Sequence, residues 1–69
     1  MIKEKRKGKN YTQEKMAEIL DISLRQYVRI DNEEDIPRRD ILKKLIIILD
    51  MSNEEIGKYI RKIVEKEEK

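Results

Sequence analysis

The chain contains no cysteine and no histidine, one proline, two glycines, and three tyrosines as its whole aromatic content. Without cysteine, neither a disulfide nor a thiolate metal site can form. Without histidine, the commonest general base and the commonest transition-metal ligand are gone. Long apolar runs are missing too. Leu45–Leu49 is far short of the roughly 18 residues needed to cross a bilayer. The opening MIKEKRKGKN is basic with no apolar block behind it, so a signal peptide is not expected. These absences leave a cytoplasmic, non-enzymatic protein as the default, with no cofactor, metal, membrane or small-molecule substrate in view.

What the chain does have is charge: 46% of its 69 residues are ionic. That length is expected to make one domain over residues 1–69 with room for a single small core. The net charge of +2 hides an uneven distribution. Residues 1–11 carry Lys3, Lys5, Arg6, Lys7 and Lys9 against Glu4, a basic N-terminal arm. Residues 32–40 reverse the balance, with Glu33, Glu34, Asp35 and Asp40 against Arg38 and Arg39. A basic arm suits nucleic acid or an anionic surface. A solvated, frayed terminus has the same composition, so charge alone does not decide.

Helical spacing pervades the chain, and no segment alternates cleanly as a strand would. A short first helix is expected from Ile2 to about Lys7, closed by Gly8. Thr12 is placed to cap a second, with Met16, Ala17, Ile19 and Leu20 as its apolar stripe. The third, Leu24 to Asp31, buries Tyr27 and Ile30. Asn32–Pro37 is a loop, a fourth helix runs from about Arg39 to Leu49, and a fifth follows Ser52. The fifth shows Ile56, Tyr59, Ile60, Ile63 and Val64 on one side, and its end, residues 65–69, lacks apolar residues and is expected to fray. An all-α, five-helix domain is the expected architecture. In the fourth helix Ile47 points nearly opposite the stripe of Ile41, Leu45, Ile48 and Leu49. It is either one exposed isoleucine or part of a dimer contact shared with Ile56, Tyr59, Ile60 and Ile63.

One pentapeptide is written almost twice, as ILDIS at Ile19–Ser23 and ILDMS at Ile48–Ser52. Its order suits a tight corner between helices. Leucine ends one helix on its buried side, and aspartate tolerates the left-handed conformation. Serine then caps the next helix, with a capping-box partner three residues on, Gln26 or Glu55.

Residues 12–31, TQEKMAEILDISLRQYVRID, resemble the helix-turn-helix of the phage-repressor (Cro/repressor, XRE-type) family. Thr12-Gln13-Glu14 opens the second helix, Ala17 stands at its small crossing position, and Asp21-Ile22-Ser23 forms the turn. Pro37, the leucine-rich fourth helix and the second corner lie at the family's usual distances, so the resemblance runs from about Ile2 to Ile56. It implies a DNA-binding transcriptional regulator of repressor or Cro type, acting on double-stranded DNA as a homodimer. Residues 24–31 become the recognition helix in the major groove. Base contacts then fall to Leu24, Arg25, Val28 and Arg29, where arginine pairs with guanine and the apolar pair packs on thymine methyls. Phosphate contacts fall to Gln13, Gln26 and Asn32, with Lys9 and Arg38 in support. Gln26 is assigned mainly to its cap. Arg6 and Asp31 match a structural ion pair of the family.

The resemblance also has departures. The family commonly places glycine at the positions of Asp21, Glu33 and Asp50, and here all three are acidic. Glu33, Glu34 and Asp35 would repel a phosphate strand unless Arg38, Arg39 and the basic arm compensate. A helix-turn-helix module used for protein contact, as an accessory or antirepressor subunit, is therefore the alternative. A calcium loop at Asp31–Leu42 fails, because Ile36 and Leu42 stand where glycine and a carboxylate are needed. Ser23 and Ser52 have cap roles and no histidine to activate them.

Overall fold

The computed structural model describes residues 1–67 and is built from five helices. They are α1 (Ile2–Gly8), α2 (Gln13–Leu20), α3 (Leu24–Asp31), α4 (Arg39–Ile48) and α5 (Asn53–Glu67). The fold is all-α, with α2 and α3 packed on each other as the bihelical unit and α1 and α4 bracing them. Its core gathers most of the expected stripes: Met16, Ala17 and Leu20 from α2 cluster with Tyr27 and Ile30 from α3 and with Leu45, Leu49 and Ile63, while Ile19 is half-buried outside that cluster. Fully burying one such side chain contributes about 1.5–3 kcal/mol, so a dozen of them can hold a domain this small.

The helix ends explain how so short a chain turns four times. After α1 to α4 the chain takes the same left-handed step, at Asn10, Asp21, Glu33 and Asp50, with φ between 51° and 62°. At each, that residue's amide donates to the carbonyl three back, and the next amide donates to the carbonyl five residues before it. The pairs are Asp21→Glu18 with Ile22→Ala17, and Asp50→Ile47 with Met51→Ile46. Asn10→Lys7 with Tyr11→Arg6, and Glu33→Ile30 with Glu34→Arg29, complete the set. This is the Schellman closure, normally made with glycine because a Cβ costs about 1–2 kcal/mol there. Neither Gly8 nor Gly57 occupies a left-handed position. The repeated pentapeptide is thus one closure used twice. Each copy is followed by a reciprocal capping box, Ser23 with Gln26 and Ser52 with Glu55.

Two expectations need correction. Tyr59 is 1% exposed and Ile63 is fully buried, so both belong to the core and offer no face to a dimer partner. The cause is that α5 has two adjacent apolar rows: Tyr59 and Ile63 turn inward, while Ile56 and Ile60 are half-buried and Val64 is exposed. The basic N-terminal run is not a solvated, frayed terminus: the expected first helix forms and is docked, with Ile2 and Arg6 both buried. Helix α5 runs to Glu67, with Arg61 and Glu65 paired at 3.7 Å; of the end expected to fray, 65–69, residues 68 and 69 lie outside the described residues. No helix among the described residues is long and apolar enough to cross a membrane.

Candidate nucleic-acid interface

The candidate reading surface is the outer face of α3, and its rotation is set from within. Tyr27 is wholly buried, Ile30 is 7% exposed, and Asp31 is 2% exposed. At about 100° per residue, burying those three turns Arg25 and Arg29 to the far side. Both are exposed. Leu24 is exposed and Val28 half-buried, so Leu24 stands out on the flank while Val28 sits lower. Ser23 fixes the start of α3: its hydroxyl accepts from the Gln26 amide at 3.1 Å, and Gln26 Oε1 accepts from the Ser23 amide at 3.0 Å.

Behind that face lies a buried polar knot centred on Asp31. Arg6 Nε donates to Oδ1 at 2.9 Å and Arg6 Nη2 to Oδ2 at 3.2 Å. The Tyr27 hydroxyl donates to Oδ1 at 2.9 Å, and Gln13 Nε2 to Oδ2 at 3.0 Å. One carboxylate therefore ties α1, α2 and α3 together. Burial pushes the Asp31 carboxyl up, but the Arg6, Gln13 and Tyr27 donors outweigh it and hold it below its ordinary value. The Tyr27 hydroxyl is pushed well up by burial and by the adjacent carboxylate. Arg6 also donates from Nη1 to the Tyr11 carbonyl at 2.8 Å, which satisfies the remaining side of its guanidinium.

The loop between α3 and α4 does not present its three acids alike. Glu33 is buried at 6% exposure, which corrects the expectation that it faces a phosphate strand. Its Oε2 accepts from the Met1 ammonium at 2.9 Å and from the Ile2 amide at 3.3 Å, while Lys62 Nζ lies 3.6 Å from Oε1. Burial raises this carboxyl, but the ammonium beside it wins and its pKa is lowered. Burial, and then the charge of Glu33, push the Tyr59 hydroxyl up to about 12. Glu34 is exposed and accepts weakly from Asn32 Nδ2 at 3.5 Å. Asp35 is paired with Arg29, Nη2 donating to Oδ2. Between α3, this loop and α4 runs a groove of about 330 Å³, floored by Ile22, Ile30 and Ile41 and rimmed by Arg29, Asp35 and Arg38.

The expected phosphate-contact residues are placed unequally. Gln13 is half-buried with its amide turned to Asp31, so it is a link in the knot before it is a surface donor. Gln26 keeps its NH₂ group outside the cap bonds made by its oxygen. Asn32 is exposed and accepts from Lys3 Nζ at 3.4 Å. Lys9 is exposed, as is Arg38, which lies 3.7 Å from Asp40. Two pairings escaped the sequence reading. Glu33 pairs across 32 residues with an amino group, which no local pattern signals. Asp35 lies six residues after Arg29, a spacing that brings side chains together only because the loop folds back.

Comparison with known families decides what this arrangement is. The family model described as helix-turn-helix, of the Cro/C1 or XRE type, matches residues 2–56. The chain belongs to that family. It is thereby a DNA-binding helix-turn-helix regulator, with α2 and α3 as the two helices of the motif. No curated protein and no solved structure matches the chain significantly.

Proposed function

We propose that this helix-turn-helix protein is a sequence-specific, cytoplasmic transcriptional repressor or Cro-like switch with no catalytic activity. It binds a near-palindromic operator as a homodimer, with α3 of each copy in a major groove and the two half-sites about 34 Å apart. The observation that carries the reading is the burial of Tyr27 and Ile30, which leaves Arg25 and Arg29 on the outward face. Arg25 and Arg29 are the base readers, with Leu24 and Val28 beside them. Lys9, Gln26, Asn32 and Arg38 contact phosphates, Gln13 through whatever donor its tie to Asp31 leaves. Exposed Ile47, at 69%, with half-buried Ile56 and Ile60 and exposed Val64, supports a dimer face on α4 and α5.

The test is selection of bound sequences from random duplex DNA, repeated with Arg25→Ala and Arg29→Ala. Wild type should enrich a two-fold-related motif. Each variant should stay helical and lose preference at one position per half-site, about 1–3 kcal/mol of discrimination. Variants that discriminate like wild type would remove both arginines from the reading. The exposed acids Glu34 and Asp35 favour a second reading, a module for protein contact. Binding to random DNA at low salt separates the two. A DNA reader binds with steep salt dependence, and a protein adaptor hardly binds.

A further inference from the structure

We propose that Asp35 is a positioning residue that sets the base preference of Arg29, a role that rests on the DNA-reading function above. The two outward arginines of α3 differ in their surroundings. Arg25 has no ion-pair partner among the described residues, whereas Arg29 Nη2 donates to Asp35. Both partners remain more than half exposed, at 57% and 54%, so the pair stays at the surface where a base edge could reach it.

Asp35 is held in a defined place. The Glu34 amide donates to the carbonyl of Arg29 itself at 3.1 Å, and the Glu33 amide to that of Ile30 at 3.0 Å. Glu33 then sinks into the core and binds the Met1 ammonium and the Ile2 amide. The loop backbone one residue before Asp35 is therefore bonded to the residue whose side chain Asp35 engages. On the other partner, Tyr27 and Asp31 fix the rotation of α3 and so the origin of the Arg29 side chain.

Arginine has five N–H donors, and a contact through one Nη2 hydrogen leaves four. A guanine needs two, at O6 and N7. One guanidinium can thus satisfy Asp35 and a guanine together, with less side-chain freedom lost on binding because it is already oriented. Asp35 also opposes the competing arrangement, in which a long flexible arginine swings onto a phosphate, because its own charge repels the backbone strand. A carboxylate at this place trades general affinity for discrimination.

The experiment is a double-mutant cycle read as a base profile. Binding of wild type, Asp35→Ala, Asp35→Asn, Arg29→Ala and the Arg29→Ala/Asp35→Ala pair is measured on the selected operator and on all single-base variants of it. We expect Asp35→Ala and Asp35→Asn to bind random DNA more tightly. At the one position per half-site that Arg29→Ala also affects, their discrimination should fall by about five- to tenfold, part of what one bidentate pair supplies. With Arg29 already alanine, removing Asp35 should leave the base profile as it is. If Asp35→Ala changes affinity for every sequence by one common factor, the role is charge alone and the proposal is overturned. A flat profile for wild type would overturn the DNA-reading function, and this proposal with it. Circular dichroism of each variant establishes that the helices persist, which the exposure of Asp35 makes the expected result.

Discussion

Replacing Arg6 by methionine should cost about 3–5 kcal/mol at neutral pH, the penalty of leaving one member of a buried ion pair without its partner. The structure supports the upper part of that range. Arg6 and Asp31 are 7% and 2% exposed, and Arg6 supplies half of the four donors on the Asp31 carboxylate. Methionine keeps the apolar stem but abandons the Tyr11 carbonyl as well, adding about 1 kcal/mol at most. A chain of this length has a total stability of roughly 3–10 kcal/mol, so the variant loses a large share of it and, toward the lower end of that range, passes its unfolding midpoint at 25 °C. Asp31→Asn alone should also destabilise, because Arg6 then keeps a buried charge. The Arg6→Met/Asp31→Asn pair should lose clearly less than the sum of the singles.

The pH dependence separates this mechanism from loss of packing. In wild type Asp31 has a depressed pKa, so its contribution is present above the ordinary carboxyl value of 3.8 and is lost as pH falls through the lower, folded value. In Arg6→Met the largest remaining influence is burial, which raises the carboxyl and lets it take a proton earlier. The gap between wild type and variant should therefore be widest near neutrality and narrow below about pH 4. Urea unfolding followed by circular dichroism at several pH values measures both quantities. A variant within about 1 kcal/mol of wild type, or a gap unchanged in acid, would refute the ion-pair account.

Two further outcomes follow from the helix ends and the apolar surface. Asp50→Gly should raise stability by about 0.5–1 kcal/mol, because glycine adopts the 51° φ without a Cβ clash, and thermal unfolding should shift up by a few degrees. An unchanged or lower midpoint would mean that the Asp50 side chain contributes something the backbone argument omits. Ile47→Lys should move a concentration-dependent dimer toward monomer in sedimentation while leaving the fold intact, since the side chain is 69% exposed. Unchanged sedimentation would take Ile47 out of the interface.

Features written locally were legible in the sequence, and those that depend on chain path were not. Ser23 with Gln26 and Ser52 with Glu55 place serine three residues before Gln or Glu, the signature of a helix start, and both boxes form. The order of the helices follows from apolar spacing together with the family resemblance. The inward row of α5 did not follow, because apolar residues at 56, 59, 60, 63 and 64 span too wide an arc for periodicity to pick a centre. Only the neighbours that enclose Tyr59 and Ile63 choose it. Asp35 was legible as a charge but not as a partner of Arg29, since that contact depends on how the loop leaves its left-handed step at Glu33.

The first eleven residues show what composition conceals. A seven-residue helix rich in lysine is too short to persist in water by itself. At the end of α3, two buried carboxylates, Asp31 and Glu33, sit where the helix dipole is already negative. Each is therefore unfavourable without a cation. Segment 1–8 delivers one to each, a guanidinium from Arg6 and the ammonium of Met1, and Lys62 of α5 adds a second at Glu33. Helix α1 is thereby held against the end of α3. Of the arm's cations, Arg6 is thus internal, Lys5 pairs with Glu55 at 3.0 Å and Lys3 leans on Asn32, which leaves Lys7 and Lys9 exposed with no ion-pair partner among the described residues. Of the five cations in the basic run that first suggests a polyanion-binding tail, Arg6 and Lys3 engage the end of α3 and Lys5 engages α5, so three of the five serve the fold.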